Sequence, residues 1–256
     1  MPMQDENLRF RNAGWERFGR RPARMIRLRT LAVTWPGLLG LALLCGCVFE
    51  TRRQGPAILF MGNSITLNAP VPSLKWTGSW GMAASAQDKD YAHQTVRLLK
   101  EKGMEVELTL ADRDCPDCDG AIDEQIHNMD QVRSLHPRFV VLQLSEHSFD
   151  IELRSGKMTD QYRRLLQGLK DAGVPYVYCL GAWGEKDPQG PHAAAIGLAL
   201  KDFPDYDFVD ISAAAADTTN YGDTTAFADP GVRWHPGDRG MLKIAEALSA
   251  AVWEDQ

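Results

Sequence analysis

The chain has 256 residues, enough for one or two domains, and its 44% hydrophobic and 24% charged residues are ordinary for a globular protein. This composition excludes a fibrous or wholly disordered chain. The net charge of −6 is divided unevenly, because residues 1–46 carry eight arginines and three acidic residues (+5) and the remainder therefore carries −11. An acidic body repels phosphate backbones, so nucleic acid is not an expected partner.

The first predicted feature is a secretory signal over residues 1–46. Five arginines between residues 20 and 29 precede an apolar stretch over 31–44, which at about 14 residues is shorter than the ~20 that span a bilayer. The following Leu44-Cys45-Gly46-Cys47 resembles the bacterial lipobox, which implies lipidation of Cys47 and attachment of an exported protein to a membrane. An uncleaved signal anchor and a buried helix remain alternatives, and Met25 is a second candidate start.

Residues 47–54 are predicted to be a linker, and residues 55–253 one domain without internal repeats. Val48 follows the predicted lipidation site where an aspartate would resemble an inner-membrane retention signal, so the outer membrane or another periplasm-facing position is expected. In an oxidising compartment Cys115 and Cys118 form a candidate disulfide, with a redox pair or two idle thiols as alternatives. Cys179 is expected in the core, and no metal or other cofactor is predicted, because a zinc site would need further soft ligands.

Within the body, short apolar runs alternate with longer amphipathic segments. The short runs predict five strands, over residues 56–61, 105–110, 139–144, 174–180 and 206–211. The longer segments predict helices over residues 88–102, 122–135, 159–172, 191–201 and 236–253. This alternation predicts an α/β fold, a three-layer α/β/α sandwich around a five-stranded parallel sheet. Ligands in such sheets bind beyond the carboxyl ends of the strands, so chemistry is expected there.

A candidate nucleophile follows the first predicted strand. Gly62-Asn63-Ser64 stands directly after an apolar run, and a serine at a strand end presents its hydroxyl at the edge of the sheet. The backbone N–H of Ser64 can also point at a developing oxyanion. Taken alone, the segment is more typical of an ordinary turn than of a nucleophile.

His235 is the candidate base, at the far end of the chain. It opens the run His235-Pro236-Gly237-Asp238 before the last predicted helix, where its ring can face the exit of the first strand. A serine hydroxyl is a poor nucleophile at neutral pH and needs such a base. The alternative is a surface histidine at a helix start.

Together and in this order, the two segments resemble the end blocks of the SGNH/GDSL serine hydrolases. The first reads Gly-Asn-Ser where the family's commonest form is Gly-Asp-Ser, and residues 235–241, HPGDRGM, resemble the histidine block. Residues 80–85 and 90–93 resemble a bacterial subfamily. The resemblance covers about residues 55–253 and implies a flavodoxin-like sheet, a catalytic Ser64 and His235, and activity on ester bonds.

The middle of the chain departs from the family pattern. After the third strand the family has Gly-x-Asn, whose asparagine donates to the oxyanion, and this chain has Ser145-Glu146-His147. The resemblance implies His147 as the replacement donor, since a protonated ring nitrogen can donate. It also implies Gly120 as a backbone donor. Glu146 is a further candidate acid at the site, with a salt bridge or a helix cap as alternatives.

The third member of the triad departs from the family as well. In the family an aspartate usually lies three residues before the histidine, and this position holds Val232. Asp229, six residues before His235, is the candidate that a longer loop brings to Nδ1. The alternative is a backbone carbonyl that orients the ring and leaves a Ser–His dyad.

These residues and the resemblance predict an exported serine esterase whose partner is an acylated carbohydrate, expected to carry an O-acetyl group, or another ester of the cell envelope. Acyl transfer to a polysaccharide uses the same groups and stays open. A non-catalytic glycan-binding lipoprotein is the alternative of another class, motivated by the changes at residues 145–147 and 232. Four tryptophans near predicted strand exits are interpreted either as sugar-stacking surfaces or as core: Trp76, Trp80, Trp183 and Trp234.

Overall fold

A computed structural model describes residues 55–112, 121–148 and 150–255, and within them five strands form one parallel sheet. The strands are β1 (Ala57–Gly62), β2 (Glu107–Leu110), β3 (Phe139–Gln143), β4 (Tyr176–Leu180) and β5 (Asp207–Val209). Their order across the sheet is β2-β1-β3-β4-β5, so the chain starts inside the sheet and builds outward to both edges. The register aligns Gly62 with Gln143, which brings the ends of β1 and β3 side by side.

Helices cover both faces of the sheet. The described residues form α1 (Tyr91–Glu101), α2 (Ala121–His127), α3 (Met129–Leu135), α4 (Asp150–Ser155), α5 (Lys157–Asp171), α6 (Pro191–Leu200), α7 (Ser212–Ala216), α8 (Pro230–Trp234) and α9 (Asp238–Glu254). Short 3-10 helices lie at Pro72–Leu74, Gln87–Lys89, Ser145–His147 and Thr218–Asn220. Helices α1, α7 and α9 contribute to the core on one face, and α2, α3, α5 and α6 to the core on the other.

The side chains of each strand alternate between these two cores. In β1, Ile58 and Phe60 pack with α1 and α9, whereas Leu59 and Met61 pack on the side of α5. All four are fully buried. Because both faces of a parallel sheet are covered, its strands are continuous apolar runs, and each fully buried large aliphatic or aromatic side chain contributes ~1.5–3 kcal/mol. The loops at the carboxyl edge of the sheet are therefore anchored on strands that are buried on both faces.

The predicted three-layer α/β fold is confirmed. The helix predicted over 122–135 is two helices, because the chain turns at Asn128, whose side chain donates to the carbonyl of Asp112 (2.8 Å) and to Oε1 of Gln125 (2.9 Å). Helices α4, α7 and α8 were not predicted, since five or six residues are too few to show a helical period.

Several sequence predictions fall outside the described residues. These are the signal and linker over 1–54 with Cys47, and the loop with Cys115, Cys118 and Gly120. Among the helices that the structure describes, none is long and apolar enough to cross a membrane. Cys179 lies fully buried in β4, as expected, and burial raises the pKa of its thiol.

Candidate active site

Ser64 and His235 meet at the carboxyl edge of the sheet. The Oγ atom of Ser64 lies 2.7 Å from Nε2 of His235, although 171 positions separate the two residues in the chain. Ser64 lies in the turn after β1, and His235 lies between α8 and α9. Helix α9 packs against α1, and this contact fixes the segment that carries the histidine against the first strand. The structure therefore brings the two candidate catalytic side chains into hydrogen-bond contact.

The turn that carries Ser64 is held by main-chain hydrogen bonds on both sides. The N–H of Asn63 donates to the carbonyl of Gln143 (3.1 Å), and the carbonyl of Asn63 accepts from the N–H of Thr66 (2.9 Å). The carbonyl of Ser64 accepts from the N–H of Met82 (2.8 Å). Gly62 is required at the start of the turn, because a Cβ atom there would lie 1.8 Å from Oγ1 of Thr66.

The backbone N–H of Ser64 is left open by this turn. Among the described residues no group accepts a hydrogen bond from it, whereas the neighbouring N–H of Ile65 donates to Oδ1 of Asn63 (3.1 Å). An unpaired N–H on the nucleophile itself can donate to the negative oxygen that forms when an ester carbonyl is attacked. The geometry thus supplies one oxyanion donor from the main chain.

A backbone carbonyl fixes the protonation of the His235 ring. Nδ1 of His235 lies 2.8 Å from the carbonyl oxygen of Gly231. A carbonyl oxygen can only accept, so Nδ1 carries the proton when the ring is neutral. The lone pair then lies on Nε2, which faces the hydroxyl of Ser64. This is the tautomer that a general base for serine requires.

Asp229 does not take the place against Nδ1 that the sequence predicted. Its Oδ1 atom instead accepts from the N–H of Gly231 (2.8 Å) and of Val232 (3.2 Å), which caps the start of α8. Val232, at the position of the family's aspartate, is fully buried in an apolar cluster. The structure thus has the alternative arrangement, in which a carbonyl orients the ring. Asp229 acts on His235 only indirectly, because its Oδ1 atom binds the N–H of Gly231, whose carbonyl contacts the ring.

Glu146 lies beneath the nucleophile turn and joins three strand exits. Its Oε2 atom accepts from Nδ2 of Asn63 (2.7 Å), and its Oε1 atom accepts from the N–H of Trp183 (2.6 Å) and from Nε2 of Gln143. Burial raises the pKa of the Glu146 carboxyl, although hydrogen bonds from Trp183 and Asn63 act in the opposite direction. The sequence offered a salt bridge or a helix cap as alternatives for Glu146. The structure instead shows its carboxylate joined by hydrogen bonds to Asn63, Gln143 and Trp183.

A cavity of about 300 Å³ opens between the exits of β3 and β4; it reaches Trp234, the residue before His235, but neither Ser64 nor His235 lines it. Trp234 forms one wall, and Glu146, Glu185 and His192 contribute polar groups. The Trp234 indole is 40% exposed and meets the His235 ring edge-on, with 5.4 Å between ring centroids. Nδ1 of His192 lies 3.1 Å from Oε1 of Glu185. The cavity is therefore a partly aromatic, partly acidic recess next to Trp234.

The other three candidate tryptophans serve the packing. Trp76 and Trp183 are buried in the core. Trp80 packs edge-on against Trp76 (5.7 Å between centroids), and its Nε1 donates to the carbonyl of Ala84 (2.9 Å). Nε1 of Trp183 donates to the carbonyl of Trp234 (2.8 Å), which ties the β4 exit to the residue before the base. Of the four, Trp234 has the face that a ligand can reach.

Metal ligands do not come together in the described part of the chain. Across residues 55–112, 121–148 and 150–255, no group of three histidine, cysteine, aspartate or glutamate side chains could hold a metal ion.

Solved structures of ester hydrolases share this fold. A family 3 carbohydrate esterase of Clostridium thermocellum matches with a TM-score of 0.54 and 16% identity, over 78% of this chain and 98% of that chain. The psychrotrophic esterase EstA of Pseudoalteromonas matches with a TM-score of 0.51 and 11% identity, over 78% and 100% of the two chains. A lipase from a goat rumen metagenome matches with a TM-score of 0.51 and 16% identity, over 77% and 97%.

The chain has the fold of the SGNH/GDSL hydrolases. No protein-family model matches the sequence, and no curated protein does. In this SGNH fold the loop after β3 begins with the 3-10 helix Ser145–His147, and Ser145 is fully buried. The side chain of His147 and the whole of Gly120 lie outside the described residues, so their roles as oxyanion donors stay predictions.

Two groups at the site were not identified from the sequence. A backbone carbonyl was one alternative for orienting His235, but the sequence could not say that Gly231 supplies it, because every residue type has a carbonyl. The Asn63 side chain had a signal, since it stands where the family's commonest form has an aspartate, and its partner Glu146 lies in the block that departs from the family pattern.

Proposed function

We propose that this chain is a serine esterase in which Ser64 is the nucleophile and His235 the general base. One observation carries the proposal: Oγ of Ser64 lies 2.7 Å from Nε2 of a histidine whose other nitrogen faces a carbonyl oxygen. This pairing gives the serine a base in the right tautomer. The esterases and the lipase that share the fold support the reaction class.

The reaction proceeds through an acyl-enzyme. Oγ of Ser64 attacks the ester carbonyl carbon while Nε2 of His235 takes the hydroxyl proton. The tetrahedral intermediate collapses, the bond to the alcohol breaks, and His235 returns the proton to the departing alcohol oxygen. Water then attacks the acyl-serine with His235 as base, which releases the carboxylic acid and restores Ser64. The negative oxygen of each intermediate accepts from the backbone N–H of Ser64, joined in this proposal by His147 and Gly120.

In this proposal the carbonyl oxygen of Gly231 is the group that orients the base through Nδ1. A carbonyl dipole at 2.8 Å fixes the ring and its tautomer, but it stabilises the imidazolium less than a full negative charge does. We therefore expect a Ser–His dyad with a correctly placed proton and a lower turnover than a complete triad gives.

The substrate class that we propose is an O-acylated neutral carbohydrate, with acetyl as the acyl group. The cavity of about 300 Å³ next to Trp234 has the volume of a small-ligand site, and the part-exposed Trp234 indole, one residue from His235, can stack on a sugar ring. Glu146 and Glu185 line the same cavity, so a negatively charged ring is disfavoured there. One protein with the same fold is a carbohydrate esterase.

We place the enzyme in the cell envelope, lipid-anchored through Cys47. The support is the sequence of residues 1–47, with its arginines, its short apolar stretch and its lipobox-like end. Envelope polymers that carry O-acetyl groups are substrates of the proposed class at that location. The Cys115–Cys118 disulfide belongs to the same proposal, because it requires an oxidising compartment.

The test is hydrolysis of p-nitrophenyl acetate by the full chain, from pH 5 to 9, for the natural sequence, Ser64→Ala and His235→Ala. We expect each substitution to lower kcat by at least about 10⁴-fold, because nucleophile and base act as one unit. Matched controls are Ser134→Ala and His127→Ala, which change an exposed serine and an exposed histidine.

The proposed esterase function is supported if turnover is lost in Ser64→Ala and His235→Ala but retained in the two control variants. If the natural chain hydrolyses the ester no faster than Ser64→Ala does, the proposed function is wrong. Saturable binding of a glycan by that inactive chain would then favour the non-catalytic alternative.

A further inference from the structure

The amide of Asn63 is locked in one orientation. Its Oδ1 atom accepts from the backbone N–H of Ile65 (3.1 Å), so this hydrogen bond closes a turn around Ser64. Asn63 is almost fully buried. With the oxygen committed to the turn, Nδ2 must face the other side, where only an acceptor can pair with it. That acceptor is Oε2 of Glu146, 2.7 Å away and 83 positions along the chain.

The two carboxylate oxygens of Glu146 have separate tasks. Oε1 accepts from the N–H of Trp183 (2.6 Å) and from Nε2 of Gln143, so it is bound to β3 and to the loop after β4. Oε2 is directed at Asn63. The carboxylate therefore holds the Asn63 amide in a fixed position relative to β3 and to the loop after β4. That amide in turn shapes the Ser64 turn.

We propose that Glu146 is a positioning residue, and that residues 63 and 146 act as one donor–acceptor pair that places Ser64 for attack. The inference rests on the proposed esterase function. An aspartate at 63 would set two carboxylates 2.7 Å apart, and a glutamine at 146 would set two amide donors at the same distance. Glu146→Gln alone breaks the pair, and Asn63→Asp alone breaks it at a pH where both carboxyl groups are ionised, which is the pH for the assay.

Exchanging both residues restores the pair with its polarity reversed. In Asn63→Asp/Glu146→Gln, the new amide nitrogen takes the place of Oε2 and donates to the new carboxylate. The new amide oxygen takes the place of Oε1 and keeps the bonds from Trp183 and Gln143. The new carboxylate at 63 still accepts from the N–H of Ile65. The bonds that involve Ile65, Trp183 and Gln143, and the bond between residues 63 and 146, then each have a counterpart.

The experiment is a double-mutant cycle on p-nitrophenyl acetate with the full chain: natural sequence, Asn63→Asp, Glu146→Gln and the double variant. We expect each single change to lower kcat at least about tenfold with KM changed less than threefold, because the hydroxyl is misplaced while the substrate still binds. The double variant should recover kcat to within about threefold of the natural chain.

Thermal unfolding of all four proteins separates positioning from stability. Should one single variant fail to fold, the other single variant against the double variant carries the test, since the second change must raise kcat. A natural rate in Glu146→Gln, or a double variant no better than the worse single variant, would overturn the pairing while leaving the esterase intact. Absence of Ser64-dependent turnover in the natural chain overturns both.

Discussion

The nucleophile and the base of this site are held by different means. Ser64 lies in a turn fixed by buried side chains, in which Asn63, Gln143 and Glu146 tie together the exits of neighbouring strands. His235 is oriented by the carbonyl of Gly231, and its segment is held through main-chain carbonyls, since that of Trp234 accepts from Nε1 of Trp183 and that of His235 accepts from the N–H of Gly222. Substitutions can therefore reach the placement of the nucleophile directly, whereas the base depends on a main-chain atom that substitution cannot remove.

The two regions also differ in exposure. Asn63, Ile65 and Thr66 around the half-buried Ser64 are buried, so the side chains that shape this turn are closed off from solvent. His235 is buried too, but its neighbour Trp234 is 40% exposed and lines a cavity. Under the proposed function, the turn of Ser64 serves the chemistry, and the segment of His235 is expected to contact the substrate through Trp234 as well.

The largest effect is expected from the closed turn. Gly62→Ala places a methyl group 1.8 Å from Oγ1 of the buried Thr66, so we expect a loss of ~3 kcal/mol in unfolding free energy, together with a fall in kcat. Gly197→Ala in α6 is the matched control, because nothing lies within 4 Å of its added carbon, and it should stabilise the fold by ~0.5–1 kcal/mol. Denaturant unfolding measures both, and equal stabilities of the two variants would contradict a closed turn.

A smaller effect is expected from the open side. Trp234→Ala removes the aromatic wall, so kcat/KM for an acetylated pyranoside should fall about tenfold more than kcat/KM for ethyl acetate. Trp253→Ala is the control, because Trp253 is about equally exposed, at 39%, but lies near the end of α9, with Nζ of Lys102 5.7 Å from its ring centroid. Steady-state kinetics on both esters give the ratio. The same fall for both esters would mean that the indole supports the base and does not contact sugar.

Asp229 distinguishes a carbonyl-oriented base from a triad. As a helix cap, Asp229→Ala should cost ~1 kcal/mol of stability and lower kcat only a few-fold, and Asp229→Asn should do neither, since asparagine caps equally well. If Asp229 were instead the catalytic acid, both variants would lose about 10⁴-fold in kcat. Rates and melting temperatures of the two variants decide between the two roles.

The smallest effect concerns pH. Burial raises the pKa of Glu146 above its ordinary 4.5, so the folded chain binds this proton more tightly than the unfolded chain does. Its contribution to stability is full below pH 4.5 and is lost as the pH rises through the folded pKa. The stability of Glu146→Gln relative to the natural chain should therefore increase with pH in this window. Melting temperatures from pH 4 to 8 test the sign, and a difference that shrinks with pH would contradict it.

The fold could be predicted from the sequence because its signals are repeated and local. Each strand is an apolar run and each long helix has an apolar stripe, so the layer order follows. The pairing of Ser64 with His235 could also be predicted, since Ser64 follows the first strand and His235 precedes the last helix. The orientation of His235 was not, because Asp229 and the carbonyl of Gly231 are alternatives that only the path of the backbone decides. The Asn63–Glu146 pair likewise depends on the register of β1 and β3.

The distance of 171 positions between Ser64 and His235 has a consequence for the newly made chain. At a synthesis rate of about 5–20 residues per second, Ser64 is synthesised roughly 9–34 seconds before His235. During that interval the hydroxyl lacks the group that takes its proton in the proposed mechanism. We therefore expect ester cleavage only after α9 has packed against α1, so its onset would report completion of the fold.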